Sequence, residues 1–340
     1  MPTQMCFAQF AGASHIGATI LHPNKKVLDF QGLFVFLGVK NTPPSLLHLF
    51  LNLLDLNLRL AMEKYIEIFA IVCYNDYKKG GGLIKNFCFT VDDNIRFLKE
   101  ITENHYQSMF DHPYLAMYQR LHEEFGLKVQ LNLFYQMEDF DLSQVSEAYY
   151  DEWEANSDWL KLSFHSKLEN VKPYESSDYD EVYEDCKRVH EQIKRFASSA
   201  ALANTTTIHY CLLTEDGLKA MEDNCVFGLL GLFGSNQNPR TSYGIEESNA
   251  EKIRNGEILK IGKILFASID IVLNCFSIKE ILERLRHMRQ RNCIRVMIHE
   301  QYFYGDYRHY QPEFEEKLRS AFSFFFEHGY QSSFYENLIS

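Results

Sequence analysis

The sequence predicts an α/β fold in which a parallel sheet, either barrel-like or doubly wound, alternates with helices. Two observations predict it. From residue 85 onward, short apolar or alternating stretches typical of strands take turns with longer stretches of helical spacing. In addition, several predicted strands end on an acid or a histidine, and parallel sheets gather the carboxyl ends of their strands on one side. We therefore expect an α/β domain over residues 85–340.

Composition and charge narrow the class of protein. Of the 340 residues, 46% are hydrophobic and 24% charged, which is typical of a soluble globular protein. The net charge of −12 predicts a surface that repels nucleic acid and anionic membrane, so neither is expected as a partner. The eight cysteines are scattered without a Cys-x-x-Cys pair, which argues against a zinc ribbon or a disulfide framework. We expect a reducing, cytoplasmic location.

Residues 1–84 differ from the rest of the chain. They hold seven lysines or arginines against five acids, and residues 1–20 lack the basic start and cleavage site of a signal peptide. The apolar stretch 46–74 is interrupted by charges that would be costly in a bilayer, so it predicts amphipathic helices and no membrane span. Residues 78–82 resemble a linker. We expect an accessory helical or poorly ordered segment; an upstream extension without structural consequence and a membrane-surface helix are the alternatives.

The first predicted strand, residues 86–91, ends on two adjacent acids, Asp92 and Asp93. A helical pattern starts at Ile95. Two neighbouring carboxylates repel each other, and a bound metal ion would keep both ionised. The alternative is that Asp93 or Asn94 only caps the following helix.

Three further predicted strands also end on a side chain that can bind metal. Strand 159–164 ends on His165, strand 205–208 on His209 and strand 294–298 on His299. The other predicted elements are helices at 95–109, 113–125, 178–200 and 277–290 and strands at 127–134, 227–233 and 264–274. Ser277, with Glu280 three residues later, is predicted to cap the last of these helices. If all strands run parallel, the histidines and the acid pair converge, and an aspartate with two histidines suits zinc or iron with water completing the shell. Each histidine alone could instead be a structural residue.

Three short motifs resemble those of NodB-type carbohydrate deacetylases, over about residues 85–335. Phe89-Thr90-Val91-Asp92-Asp93-Asn94 is similar to their Thr-Phe-Asp-Asp-Gly motif. Leu162-Ser163-Phe164-His165-Ser166 resembles the start of their His-Ser/Thr-x-x-His motif, and Ile298-His299 their late strand-end histidine. The resemblance implies a distorted (β/α) barrel. It also implies that Asp92 is the general base, that Asp93 and His165 bind the metal, and that His299 is the general acid.

The chain departs from that family in three places. The second histidine of the His motif is replaced by Glu169, the glycine after the acid pair is Asn94, and no Arg-x-Pro-Tyr motif is found. We expect His209 to supply the missing third metal ligand. Glu169 is the alternative, because a carboxylate also binds zinc.

These expectations define a function. We predict a metal-dependent hydrolase, with zinc as cofactor, that removes an acyl group, acetyl foremost, from an amide or ester on a carbohydrate. Tyr210, Glu300 and Tyr302 are predicted to bind the sugar, since aromatic faces beside polar groups suit a pyranose ring. The alternative for Glu300 is a solvated acid without a role in binding. Asp270 is predicted to orient a site residue, or else to be a solvated or capping acid. The alternative functions are a catalytically inactive carbohydrate-binding barrel and a metal-dependent hydrolase of a non-sugar amide.

Overall fold

The structure, a computed structural model, describes residues 84–169, 174–233 and 242–339. The predicted N-terminal segment, residues 1–84, lies outside these ranges except for residue 84 itself, so its organisation stays a prediction. None of the helices in the described part of the chain combines the length and the apolar character that a membrane span needs.

Strands and helices alternate along the chain, as predicted. The strands are β1 (Lys85–Asn94), β2 (Val129–Met137), β3 (Phe140–Asp141), β4 (Leu160–Leu168), β5 (Thr205–Thr206), β6 (Gly228–Gly231), β7 (Leu259–Ile261), β8 (Ile264–Ser268), β9 (Ile271–Val272), β10 (Cys293–His299) and β11 (Tyr330–Ser332). The helices are α1 (Arg96–Asn104), α2 (Pro113–Phe125), α3 (Tyr150–Ala155), α4 (Tyr179–Ala197), α5 (Glu215–Asp223), α6 (Glu247–Arg254), α7 (Ile278–Met288), α8 (Phe314–Glu327) and α9 (Glu336–Ile339).

Strand β1 lies at the centre of the larger sheet. It pairs in parallel with β10 on one side and β2 on the other, and β2 in turn pairs in parallel with β4. The register sets Asp92 directly opposite His299. A second sheet has the order β5-β6-β8-β7, in which only β7 is antiparallel.

Backbone hydrogen bonds join the two sheets into a ring. On one side, Leu162 of β4 exchanges 2.8 Å bonds with Ala201 and Ala203, which lead into β5. On the other side, β8 runs on into β9 after two residues, and β9 pairs in parallel with β10. The fold is therefore a distorted (β/α) barrel, as predicted, and the carboxyl ends of its parallel strands share one rim.

Successive side chains of β1 point alternately outward, to the hydrophobic core between the barrel and its helices, and inward, to the barrel interior. Phe87, Phe89 and Val91 face the surrounding helices, and the ring of Phe87 stacks on Phe325 of α8 at 4.5 Å between centroids. Burying one such phenylalanine stabilises the fold by about 2–3 kcal/mol. Thr90 and Asp92, on the other face, are buried polar residues of the interior. The hydrophobic contacts outside therefore hold a polar face of β1 inside the barrel.

Three predicted elements differ from the observed ones. The helix predicted over 95–109 ends at Asn104, because His105 has a left-handed φ of 51°. The strand predicted over 264–274 is divided into β8 and β9, because the chain changes its partner from β6 to β10 there. Strand β5 ends at Thr206, so His209 lies in a short 3₁₀ turn beyond it. The cap predicted for α7 is confirmed: Ser277 and Glu280 form a capping box.

Candidate metal centre

The acid pair lies at the carboxyl end of β1, where the strand is irregular. In a regular strand Asp92 and Asp93 would point to opposite faces of the sheet. Asp93 instead has a left-handed φ of 64°, and the register between β1 and β2 shifts between Val91 and Asn94. Such a bulge redirects a side chain. Both carboxylates consequently line the same cavity.

Asp93, His165 and His209 come together in one cluster. His165 Nε2 lies 3.0 Å from Asp93 Oδ1, His209 Nδ1 lies 3.2 Å from the same oxygen, and the two ring nitrogens are 3.1 Å apart. Within the described ranges, this is the one group of three or more histidines, cysteines and acids whose ligand atoms are close enough to hold a metal ion. Two ring nitrogens and a carboxylate oxygen that face one another are the donor set of a divalent transition metal.

A backbone hydrogen bond fixes the orientation of the His165 ring. Its Nδ1 lies 2.5 Å from the carbonyl oxygen of Thr207, and because a carbonyl only accepts, Nδ1 carries the hydrogen. When the ring is neutral, Nε2 is unprotonated and can bind a metal ion; when the ring is protonated, Nε2–H donates a hydrogen bond to Asp93. A histidine that binds metal is typically held in this way from its other nitrogen.

His209 is brought into the cluster by a tight turn. Tyr210 and Cys211, which follow it, have left-handed φ angles of 61° and 54°. Its Nδ1 faces the cluster, and its Nε2 is buried with no hydrogen-bond partner in the described part of the chain. Glu169, the alternative third ligand, is exposed at the end of β4; it lines the cavity but does not belong to the cluster.

Asp93 is ionised in this setting. Burial opposes its ionisation, but hydrogen bonds from His165 and His209 outweigh burial and hold the pKa of Asp93 well below its usual value. Burial also lowers the pKa of His165, but the negative charges of Asp92 and Asp93 outweigh it and raise that pKa overall. The other carboxylate oxygen of Asp93, Oδ2, accepts a 2.7 Å hydrogen bond from Gln301 Nε2.

Asp92 and His299 face the same cavity, each with one amide partner. Asp92 is only 2% exposed, and its Oδ1 accepts a 2.6 Å hydrogen bond from Asn132 Nδ2. Burial raises the pKa of Asp92, and the charges of His165 and His299 oppose that rise in part. His299 Nδ1 lies 2.9 Å from Asn274 Oδ1, which leaves Nε2 as the nitrogen available to a substrate.

The cavity at this rim has a volume of about 740 Å³. Eight of the ten predicted site residues line it: Asp92, Asp93, His165, Glu169, His209, Tyr210, His299 and Tyr302. Tyr210 is 53% exposed and offers its ring to a ligand.

Glu300 is not at the cavity, which corrects the prediction that it binds the substrate. It is buried, and its carboxylate accepts hydrogen bonds from the backbone N–H groups of Ile95, Arg96 and Phe97 at 2.7, 3.1 and 2.8 Å. These N–H groups lie at the N-terminus of α1, so Glu300, which follows the neighbouring strand β10, caps that helix. Neither Asp93 nor Asn94 caps it, which removes that alternative for the acid pair.

Asp270 does not line the cavity and bonds to no predicted site residue in the described part of the chain, so the prediction that it orients one is corrected as well. Its buried carboxylate pairs with Arg291 and accepts a 2.8 Å hydrogen bond from the backbone N–H of Arg295. It is neither solvated nor a cap. The acid instead anchors the point where the chain crosses from β8 to β9, beside β10.

The sequence reasoning missed three amide side chains of the site. Asn132, Asn274 and Gln301 hold Asp92, His299 and Asp93 respectively. One signal was available: Asn132 occupies a polar position in the alternating strand β2, where an inward-facing residue is expected. Amides are too common in loops for the other two to stand out.

The fold and the site define a (β/α)-barrel protein with a candidate His-His-Asp metal centre at the carboxyl rim of its strands. The sequence matches no family model and no curated protein. The structure is similar to that of 4-alpha-glucanotransferase from Thermococcus litoralis, with a TM-score of 0.50 and 12% identity over 76% of this chain; this chain spans 40% of that one's length.

Two other solved structures are similar at lower TM-scores. A family 4 acetyl xylan esterase from Clostridium thermocellum, solved with a cobalt ion, gives 0.44 at 10% identity, over 75% of this chain and 90% of that chain. A deacetylase solved with substrate gives 0.38 at 10% identity, over 75% and 91%. At these identities the likeness concerns the fold alone.

Proposed function

We propose that this protein is a metal-dependent hydrolase that removes an acyl group, acetyl foremost, from an amide or ester on a carbohydrate. One observation carries the proposal: the acid pair and three histidines, which come from four different strands or strand ends, line one cavity. The resemblance of the motifs around Asp92, His165 and His299 to those of carbohydrate deacetylases supports the same reaction.

The cluster fits a divalent ion such as zinc. Two ligands that are each about 2.0–2.1 Å from a tetrahedral zinc ion lie about 3.3 Å apart. The atoms of Asp93, His165 and His209 are separated by 3.0–3.2 Å, so a small outward adjustment would admit the ion. Three protein ligands also leave one position for water, as catalytic zinc sites require. A bound ion would acidify that water and polarise the acyl carbonyl.

Asp92 is the general base of the proposed reaction. Its carboxylate lies next to the cluster in the chain and faces the same cavity, where it can take a proton from the attacking water. Burial raises its pKa, which makes it a stronger base than an exposed aspartate. The hydrogen bond from Asn132 fixes the orientation of the carboxylate.

His299 is the general acid. Its Nδ1 is hydrogen-bonded to Asn274, so the protonated ring presents Nε2–H to the leaving amine or alcohol. The register places His299 directly opposite Asp92 on the neighbouring strand. The base and the acid consequently stand on adjacent strands, and proton uptake and proton release take place at the same rim.

A carbohydrate suits the shape and lining of the cavity. Its volume of about 740 Å³ is in the range of small-ligand sites and has room for more than one sugar ring. Tyr210 and Tyr302 supply aromatic faces for the apolar C–H face of a sugar. Polar side chains that also line the cavity can bind the hydroxyl groups of the sugar.

Metal-loaded protein should release acetate from N-acetylglucosamine oligomers or from acetylated xylan. Asp92→Asn should still bind zinc but lose at least about 10²-fold in rate, because only the base is removed. Exposed Glu123→Gln, outside the cavity, serves as the control. Zinc binding without turnover on any substrate would favour the inactive binding barrel. Turnover of simple amides but of no acetylated sugar would favour the non-sugar hydrolase, and failure to bind metal would overturn the proposal altogether.

A further inference from the structure

We propose that the substrate carries an acidic group, a carboxylate on the acetylated sugar or its neighbour, and that Arg308 binds it. The inference rests on the proposed function and narrows its substrate class. Arg308 lines the same cavity as Asp93 and His299 and is the only lysine or arginine among the cavity-lining residues of the described ranges.

The guanidinium group of Arg308 is exposed. No hydrogen bond or ion pair joins it to another residue in the described part of the chain. Two exposed or half-exposed arginines away from the cavity have carboxylate partners: Arg120 pairs with Glu315 at 3.0 Å, and Arg195 with Glu147 at 3.0 Å. The exposed Arg286 has no ion pair within the described ranges, but it does not line the cavity. In a chain of net charge −12, an arginine left without a carboxylate at a cavity is a feature to be explained.

The loop that carries Arg308 is held in place. Backbone bonds from Tyr307 to Tyr304 (3.1 Å) and from Tyr310 to Tyr307 (2.9 Å) form consecutive turns on either side of Arg308. Asp306 pairs with Arg96 of α1 at 2.7 Å, which ties the loop to the helix that follows the acid pair. The backbone at Arg308 is therefore held beside the cavity before any ligand arrives, which lowers the part of the entropic cost of binding that comes from ordering the loop.

Charge and geometry point to a carboxylate. The guanidinium fork matches the two oxygens of a carboxylate and can donate two parallel hydrogen bonds to it. The net negative charge of the chain repels an acidic ligand, and the positive charge of Arg308 offsets this repulsion at the cavity. The rings of Tyr302 and Tyr307, 5.3 Å apart and roughly perpendicular, line the same cavity as Arg308 and can contact the sugar that bears the acid.

Matched ligands whose carboxylates are either free or methyl-esterified test the inference. Binding is measured by calorimetry on zinc-loaded Asp92→Asn protein, so that turnover does not interfere. One pair of probes is an O-acetylated oligogalacturonide and its methyl ester; the other is N-acetylmuramic acid and its methyl ester. In at least one pair we expect the acid to bind about tenfold more tightly or better, as for hydrogen bonds to charged groups, and the preference to weaken with salt.

The same measurement with Arg308→Gln should abolish the preference. The control is Arg286→Gln, which removes an exposed arginine that does not line the cavity and should leave the preference intact. Equal binding of acid and neutral partner in both pairs, no binding in either, or a preference that survives Arg308→Gln overturns the inference. If the protein releases acetate from neutral sugars but binds the acidic and neutral ligands equally, the proposed function stands and this inference fails. Arg308-dependent binding of the acid without any acetate release supports the inference while the hydrolase proposal fails.

Discussion

Gln301 Nε2 donates a 2.7 Å hydrogen bond to Oδ2 of Asp93, while the other oxygen of the same carboxylate faces His165 and His209. The two residues are 208 positions apart in the chain. They meet because β1 and β10 are parallel neighbours whose ends lie side by side. The Gln301 amide thus fixes the orientation of the Asp93 carboxylate, which would bind the metal.

We expect Gln301→Ala to weaken zinc binding by about 10- to 100-fold, the usual effect of removing a residue that orients a metal ligand. The dissociation constant is measured by competition with a fluorescent chelator. Gln290→Ala, which removes an exposed glutamine away from the cavity, is the matched control. Equal affinities for Gln301→Ala and wild type would show that Asp93 needs no such support.

The identity of the third ligand can be tested by metal content. His209→Ala should lose most of the bound zinc, because His209 Nδ1 stands 3.2 Å from the oxygen of Asp93 and 3.1 Å from the nitrogen of His165. Glu169→Ala should retain it, since Glu169 lies outside the cluster. Elemental analysis of both purified variants beside wild type decides between them. The opposite pattern would assign the ligand to Glu169.

Glu300 should make stability depend on pH. Burial raises its pKa from the usual 4.5 to about 7, and hydrogen bonds from Ile95 and Phe97 oppose this only in part. Below about pH 4.5 the group is protonated in both the folded and the unfolded chain, so its contribution to stability is fully present. Between about 4.5 and 7 the unfolded chain ionises first, and the folded state loses roughly 3 kcal/mol relative to it.

Glu300→Gln stays neutral throughout and should not show this loss. The quantity to measure is the difference in the free energy of unfolding between wild type and Glu300→Gln, by urea denaturation from about pH 4 to about pH 8. As the pH rises, the free energy of unfolding of wild type should fall relative to that of Glu300→Gln. A difference that stays constant over that interval would mean that Glu300 is ionised in the folded protein without cost.

Asp270 should act on stability and leave the metal site unaffected. Asp270→Ala leaves Arg295, which is only 4% exposed, without its carboxylate partner. Breaking a buried ion pair from one side costs about 3–5 kcal/mol. We therefore expect a large fall in the urea midpoint and an unchanged affinity for zinc in the folded fraction. Weakened zinc binding at unchanged stability would instead restore the orienting role predicted from the sequence.

Much of the fold could be predicted from the sequence because the signals are local. Alternating apolar and polar residues marked β2 and β4, short apolar stretches marked β1 and β10, and the Ser277 capping box marked the start of α7. The positions of Asp92, His165 and His299 toward the carboxyl ends of their strands followed from the same patterns, and parallel strands bring such ends together whatever lies between them.

The tertiary structure alone decided which side chains meet. The left-handed turn at Asp93 places both acids on one face, and the turn after His209 brings that ring to Asp93 while Glu169 stays outside the cluster. Glu300 caps a helix more than 200 residues away, and Asp270 and Gln301 likewise bond to partners on other strands or loops. Residue spacing along the chain encodes strand and helix periods, but a contact between distant segments depends on register, bulges and closure of the barrel, and these are set only when the chain packs.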